Sequence, residues 1–205
     1  MLLFDTETVN IKGKNVIWEF AGIDTKSLKI YHFFHGENIR LALNTKCNGG
    51  SLMFFNKYQL KHASKYPWLE KDDFLFSIQE CLSRYKTLTA YNIGFDAGIL
   101  KGLGFILDDF SLLDLWGSFV KIIACKPSYI TWANSNEYLT KTKIPKTDAE
   151  TAYRFLSGIK DFRTPHLAID DIKHELVIYE ALQKTRKKKH YGFFGYADLK
   201  RVFIN

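Results

Sequence analysis

The sequence predicts an α/β fold with one mixed central sheet flanked by helices. Three strand patterns come first, a helix and a fourth strand pattern follow, and helical patterns occupy most of the remaining chain. The chain has 205 residues, of which 46% are hydrophobic and 16% aromatic, so it can fill the core of one domain. We therefore expect a single domain over residues 1–205.

The first three elements are strand patterns that begin at the start of the chain. They cover Leu2 to Thr8, Val16 to Ile23 and Ser27 to Phe34, where apolar and β-branched residues recur with strand-like spacing. Asp24-Thr25-Lys26 has the composition of a turn and joins the last two. A β-meander is therefore predicted. The next segment, 35–68, has a mixed pattern and stays unplaced, with 48–51 as a turn and 52–55 as a possible short strand.

Helical spacing dominates the chain after residue 70. Apolar residues three and four positions apart predict a helix over 72–85, and 87–91 then has the pattern of a buried strand. The remaining predicted helices cover 95–103, 112–124, 129–139, 148–156 and 168–184. A capping box at 147–150 opens the helix 148–156.

The net charge indicates the class of binding partner, and the cysteines indicate the cellular compartment. The net charge of +7 favours a polyanionic partner such as nucleic acid. Cys47, Cys81 and Cys125 form no disulfide framework and no zinc-knuckle spacing, which fits a reducing cytoplasm. No stretch approaches the roughly 18 apolar residues of a membrane span. We therefore expect a soluble cytoplasmic protein with no membrane partner.

An acidic pair lies in the first predicted strand. Asp5 and Glu7 are separated by one residue, so the two-residue period of a strand points both side chains to the same face. Their α-carbons would be about 6.6 Å apart, a spacing that can hold a metal ion. A strand end that emerges into solvent is the alternative explanation.

Two later segments supply further acids and a histidine. Asp96 follows the predicted strand 87–91, where a helix begins, and acidic residues are also common at helix starts for purely structural reasons. His166 precedes Asp170 and Asp171 in the first turns of the last predicted helix. These two acids are about 100° apart on a helix, and Asp171 is favoured because it shares a face with Ala168.

Taken together, three segments resemble the three motifs of the DEDD superfamily of 3′-to-5′ exonucleases, histidine subclass, which is the proofreading-exonuclease class. Each motif alone is weak, but three in this order are more specific. The resemblance covers residues 2 to about 181, and within it the stretch 113–154 is similar to small bacteriophage-type members. The three matching segments are Phe4-Asp5-Thr6-Glu7-Thr8, Tyr91-Asn92-Ile93-Gly94-Phe95-Asp96 and His166-x-Ala168-x-x-Asp171.

The resemblance implies a ribonuclease-H-like fold with a mixed five-stranded sheet, and it assigns roles to individual residues. His166 would be the general base, and the acidic metal ligands would be Asp5, Glu7, Asp96 and Asp171. Two Mg²⁺ ions, for which Mn²⁺ could substitute, would stabilise the attacking and leaving oxygens of a phosphodiester. The terminal nucleotide would be contacted by Thr6, Thr8, Asn92 and Phe95.

The function predicted from this resemblance is removal of nucleoside monophosphates from the 3′ end of single-stranded DNA or of a frayed duplex. One alternative is a ribonuclease of the same fold that trims RNA or short oligoribonucleotides, and another is a non-catalytic nucleic-acid-binding accessory module. DNA is favoured over RNA. A polymerase or other replication partner would have to act in trans, and the oligomeric state is left open.

Two other features of the sequence could form binding sites. His32, His35 and His62 could suggest zinc, but no cysteine or further histidine lies at ligand spacing, so zinc is disfavoured. The basic and aromatic segment 184–205 combines positive charge with rings that stack on single strands. A solvated helix end followed by a packed tail explains that segment equally well.

Overall fold

The computed structural model describes residues 1–44 and 57–185 and has an α/β architecture. The strands within these residues are β1 (Leu2–Ile11), β2 (Lys14–Asp24), β3 (Ile30–His35), β4 (Trp68–Leu69), β5 (Thr87–Ala90) and β6 (Ser111–Asp114). The α-helices are α1 (Gly36–Asn44), α2 (Lys57–Ala63), α3 (Lys71–Leu82), α4 (Ile93–Gly102), α5 (Leu115–Phe119), α6 (Pro127–Ser135), α7 (Ala149–Ser157) and α8 (Ala168–Lys184).

The strands form one mixed sheet in the order β4-β3-β2-β1-β5-β6. The pairs β1–β2 and β2–β3 are antiparallel, and β3–β4 is parallel. The predicted meander over the first three strands is therefore confirmed. The turn between β1 and β2 uses Lys12 and Gly13, which both have positive φ, the conformation that a tight two-residue hairpin turn requires.

The expected number of five strands is wrong, because the described residues contain six. β6 lies partly inside 112–124, which was predicted to be helical throughout. A short apolar run such as that of β6 cannot be assigned to strand or helix by periodicity alone. The helix starts only at Leu115, and a π-helical turn over Val120–Ala124 continues it.

Two other helices begin at residues different from those predicted, and local sequence explains each difference. α7 begins with Asp148 as its N-cap, whose side chain accepts a hydrogen bond from the Thr151 N–H at 2.8 Å, so Thr147 is not the capping residue. α6 starts at Pro127, a residue that favours the first helical position. The last helix has the predicted bounds. The unplaced segment contains α1 and α2, while the turn at 48–51, the possible strand at 52–55 and residues 186–205 lie outside the described residues.

The chain divides into two compact units, and the first has an aromatic core. Phe4 and Phe20 on the β1–β2 hairpin are fully buried and stack with ring centroids 5.8 Å apart. Phe74 on α3 is fully buried beside His35, at 4.9 Å between ring centroids. This unit comprises the described residues of Met1–Leu88, Phe95–Ser111 and Thr164–Ile172.

The second unit has its own aromatic core. Tyr129 on α6 is fully buried and packs edge-on against Phe119 at 5.4 Å and Phe155 at 4.9 Å between ring centroids. Aromatic pairs in this geometry gain stability beyond the burial of their surface. This unit comprises the described residues of Thr89–Gly94, Leu112–Arg163 and Lys173–Asn205.

Hydropathy along the helices bears on membrane association. Within residues 1–44 and 57–185, none of the helices combines the length and the apolar character needed to cross a membrane.

Candidate active site

The β1–β2 hairpin of the first unit presents the acidic pair. Asp5 and Glu7 are partly exposed and alternate with the buried Phe4 and Thr6, as the two-residue period predicts. Glu7 lies directly opposite Glu19 on β2, and Glu19 is fully buried. Two carboxylates in a cross-strand pair repel each other, so this part of the sheet needs compensating positive charge or protons.

Asp96 lies in the first turn of α4 and is held by Thr6. Its Oδ1 accepts a hydrogen bond from the Thr6 N–H at 3.0 Å and another from Thr6 Oγ1 at 2.7 Å. Burial raises the pKa of Asp96 from its ordinary 3.8 to about 7, although the two hydrogen bonds from Thr6 act to lower it. The carboxyl group is therefore fixed in orientation and costly to ionise without a cation.

His166 and Asp171 are held at the start of α8 by side chains of the same unit. His166 has a left-handed backbone with φ of 53°, and its carbonyl oxygen accepts a hydrogen bond from Gln59 Nε2 at 2.8 Å. Thr164 Oγ1 donates to Asp171 Oδ1. The loop that carries the histidine is thus attached to α2 on one side and to the first turn of α8 on the other.

Glu7, His166 and Asp171 come together at one point. Their ligand atoms all lie within 4.8 Å of one another. The pKa of Glu7 is raised well above its usual range, chiefly by burial, then by the charges of Asp171 and Glu19, a hydrogen bond with Asp171, and the charge of Asp96. A divalent cation at this point would relieve that repulsion, and oxygen ligands of this kind suit Mg²⁺ or Mn²⁺.

The other predicted ligands lie around this group. Asp5 lies two residues before Glu7, on the same face of β1, and Asp96 is close enough for its charge to raise the pKa of Glu7. Neither belongs to the group of three whose ligand atoms are within 4.8 Å. Asp170, which was not favoured, is also outside that group as far as the described residues show.

The four residues expected to contact substrate are placed differently from one another. Thr6 is buried and its hydroxyl donates to Asp96, so it orients a carboxylate. Thr8 is partly exposed on β1, and Phe95 exposes 44% of its surface at the start of α4. An exposed ring beside an acidic cluster is available for stacking on a base.

Asn92, the fourth of these residues, belongs to the second unit and lines a cavity there. Its N–H donates to Asp114 Oδ1 at 3.1 Å, and its φ is 64°. Asp114 is buried. The cavity has a volume of about 370 Å³, and Tyr91 and Trp116 also line it.

Two residues that shape the site were not singled out from the sequence. The sequence does mark Glu19 as unusual, because it is the one charged residue in the apolar run Val16 to Ile23, and a buried charge requires partners. Nothing in the sequence marks Gln59, since it lies in the segment of mixed pattern. Its role depends on a contact with His166, which is distant in sequence.

Comparison with known proteins gives no further guide to this site. The chain matches no family model, and no curated protein matches it.

Proposed function

We propose that this chain is a divalent-metal-dependent exonuclease that hydrolyses single-stranded DNA or frayed duplex ends from the 3′ terminus and releases nucleoside monophosphates. The observation that most supports this is the convergence of Glu7, His166 and Asp171, with ligand atoms within 4.8 Å of one another. The 3′-to-5′ direction and the monophosphate product rest on the motif resemblance.

The donor set fits magnesium or manganese. Glu7, Asp96 and Asp171 offer hard carboxylate oxygens, and Asp5 adds another on the same strand face as Glu7. The raised pKa values of Glu7 and Asp96 are those of carboxyl groups crowded together and buried. Such groups release their protons readily when a cation is bound, and a bound divalent cation would stabilise the negative charge of the scissile phosphate and of the leaving oxygen.

His166 is the residue that we propose as the general base. Its side chain is exposed to solvent and lies next to the carboxylates of Glu7 and Asp171. A neutral imidazole can accept the proton of an attacking water near neutral pH. Such a role typically contributes 10²–10⁴-fold in rate, and we expect His166→Asn to lose activity on that order while retaining metal binding.

Digestion of matched nucleic acids tests the proposal. Single-stranded DNA and RNA of the same sequence, labelled at the 5′ end, are incubated with Mg²⁺, with Mn²⁺ and with EDTA. We expect a ladder that shortens from the 3′ end, requires the metal and is abolished by Asp5→Ala. The preferred strand distinguishes a deoxyribonuclease from a ribonuclease.

Neighbouring acids at the start of α8 provide a matched control pair. Asp171→Asn should abolish cleavage because Asp171 belongs to the ligand group, whereas Asp170→Asn should retain it. If neither strand is cut with Mg²⁺ or Mn²⁺ while DNA binding persists, catalysis is refuted and a non-catalytic binding module is the better account. Equal activity of the two variants would refute the assignment of Asp171.

A further inference from the structure

A second group of potential metal ligands lies in the first unit and takes no part in the proposed hydrolysis. The ligand atoms of Glu19, His32 and His62 all lie within 4.8 Å of one another. The three residues come from β2, β3 and α2. We propose that they form a binding site for a zinc-class transition-metal ion, separate from the carboxylate group of Glu7 and Asp171.

Glu19 and His32 already form half of such a site. His32 Nε2 lies 2.7 Å from Glu19 Oε1, and the side chains are 9% and 0% exposed. Glu19 Oε2 accepts a hydrogen bond from the Ala168 N–H at 3.1 Å. This contact fixes the carboxylate in the way that partners of metal ligands usually do. An ion would replace the hydrogen that now joins His32 to Glu19.

His62 supplies the observation that points to a missing ligand. Its Nε2 is buried and has no hydrogen-bond partner among the residues that the structure describes. Buried polar atoms are nearly always paired, so each exception calls for an explanation.

Aromatic rings enclose the two histidines. Phe34 and Tyr66 lie 4.6 Å and 4.9 Å from the His32 ring, and Tyr66 lies 5.2 Å from the His62 ring, measured between centroids. Ring contacts of this kind hold the imidazoles in place, although Tyr66 is itself 41% exposed. Zinc bonds of about 2.0–2.1 Å put tetrahedral ligand atoms roughly 3.3 Å apart. The ligand atoms of the three side chains lie within 4.8 Å of one another, so small side-chain rotations would bring them to that spacing.

The donor set selects the class of ion. Two imidazole nitrogens and one carboxylate suit zinc and its neighbours, whereas magnesium prefers an all-oxygen environment. Three protein ligands leave a fourth position for water. Histidine and cysteine spacing alone does not predict this site, because Glu19 completes the ligand set from a different strand. An ion there would join β2, β3 and α2.

Metal content of the full-length chain tests the site. Tag-free protein is loaded with Zn²⁺, dialysed against metal-free buffer and analysed by plasma mass spectrometry. We expect about one zinc ion per chain, and a Co²⁺-loaded sample should show the visible absorption of a four-coordinate site. His62→Gln should lose both signals. His62→Cys, which restores a zinc ligand, should recover zinc binding and so separates ligand loss from misfolding.

Two control variants separate this site from other candidates. His174→Gln removes a histidine of the second unit, and Asp171→Asn removes a ligand of the proposed catalytic group, so both should keep the zinc. Zinc well below one ion per chain in the wild type would overturn the proposal. Full occupancy in His62→Gln would do the same. Neither result depends on nuclease activity.

Discussion

At the scale of single residues, the contact between Thr6 and Asp96 shows how a buried carboxylate is held in place. An ionised carboxylate needs partners when buried, and Asp96 accepts two hydrogen bonds from Thr6 at Oδ1. The hydroxyl of Thr6 is therefore a positioning group. In the proposed mechanism it acts on a metal ligand rather than on the substrate.

Removal of this hydroxyl should weaken activity and move its pH dependence. In Thr6→Val the side chain keeps its shape but cannot donate to Asp96, so the pKa of Asp96 should rise further. We expect a roughly 10–100-fold loss of activity, as for other partners of metal ligands, and an acid limb of the rate profile displaced to higher pH. The measurement is kcat against pH at several Mg²⁺ concentrations.

Thr6→Ser is the matched control, because it retains the hydroxyl and removes only a methyl group. It should restore most of the rate and the wild-type pH profile. If Thr6→Val and Thr6→Ser behave alike, the hydroxyl has no role in placing Asp96.

Residues were predictable from sequence when local geometry determined their place. The strand period is sufficient to put Asp5 and Glu7 on one face, and the motif spacing put His166 and Asp171 at the start of one helix. Glu19 and Gln59 could not be assigned to the site in this way, because their contacts to Ala168 and His166 join segments more than 100 residues apart.

At the scale of elements, α2 supports the loop that carries the proposed base. Gln59 is 1% exposed and donates to the carbonyl of His166. His166 has a positive φ, which costs a non-glycine residue roughly 1 kcal/mol or more. A buried side chain that holds this carbonyl helps to maintain the unfavourable backbone.

Loss of this contact should lower the turnover rate more than metal binding. Gln59→Leu keeps the side chain apolar and similar in size but leaves the His166 carbonyl without this donor. We expect kcat to fall by about 10–100-fold, in the range for groups that act through a catalytic residue, while the Mg²⁺ concentration for half-maximal activity stays unchanged. Steady-state kinetics with a Mg²⁺ titration measures both.

Gln79→Leu on α3 is a control of the same chemistry at an exposed position, and it should have little effect. A Gln59→Leu enzyme with wild-type kcat would show that the contact does not position His166.

Prediction succeeded for α8, whose pattern is long, and failed for β6 and β4, whose patterns are short. The spacing over 168–184 gave the bounds of α8, since seventeen residues sample several helical turns. The four residues of β6 cover only two periods of a strand and about one turn of a helix, too few to distinguish the two structures. In β4, only two residues pair with β3, and nothing in so short a segment distinguishes a strand from a loop.

At the scale of the whole molecule, the first unit gathers carboxylates whose repulsion must affect stability. The folded-state pKa of Asp96 is about 7 against an ordinary 3.8, and that of Glu7 is raised too. A raised carboxyl pKa means that the folded state binds the proton more tightly than the unfolded state. Its contribution to stability is therefore present at low pH and is lost as the pH rises through about 7.

This direction of the pH dependence gives a prediction for the stability of the metal-free protein. Asp96→Asn keeps an oxygen that can accept both hydrogen bonds from Thr6 but never ionises. In EDTA, the Tm of this variant should exceed that of the wild type at pH 8, and the difference should shrink at pH 5. In the wild type, Mg²⁺ should raise the Tm more at pH 8 than at pH 5, because the cation binds ionised carboxylates.

Thermal denaturation by circular dichroism with and without Mg²⁺ measures these shifts. Comparison of the two proteins at each pH cancels the contribution of histidines that titrate in the same range. A larger advantage of the variant at pH 5 than at pH 8 would contradict the raised pKa of Asp96.

The buried Glu19 also constrains the order in which the chain folds. Its carboxylate faces Glu7 across the hairpin, and two of its hydrogen bonds come from the N–H groups of Ala168 and Ile169 at the start of α8. During synthesis at about 5–20 residues per second, those donors are made roughly 8–30 s after Glu19. The hairpin therefore emerges from the ribosome with His32 as the early partner of its buried charge, and the two backbone donors follow much later, so docking of the start of α8 against Glu19 should be among the last events of folding.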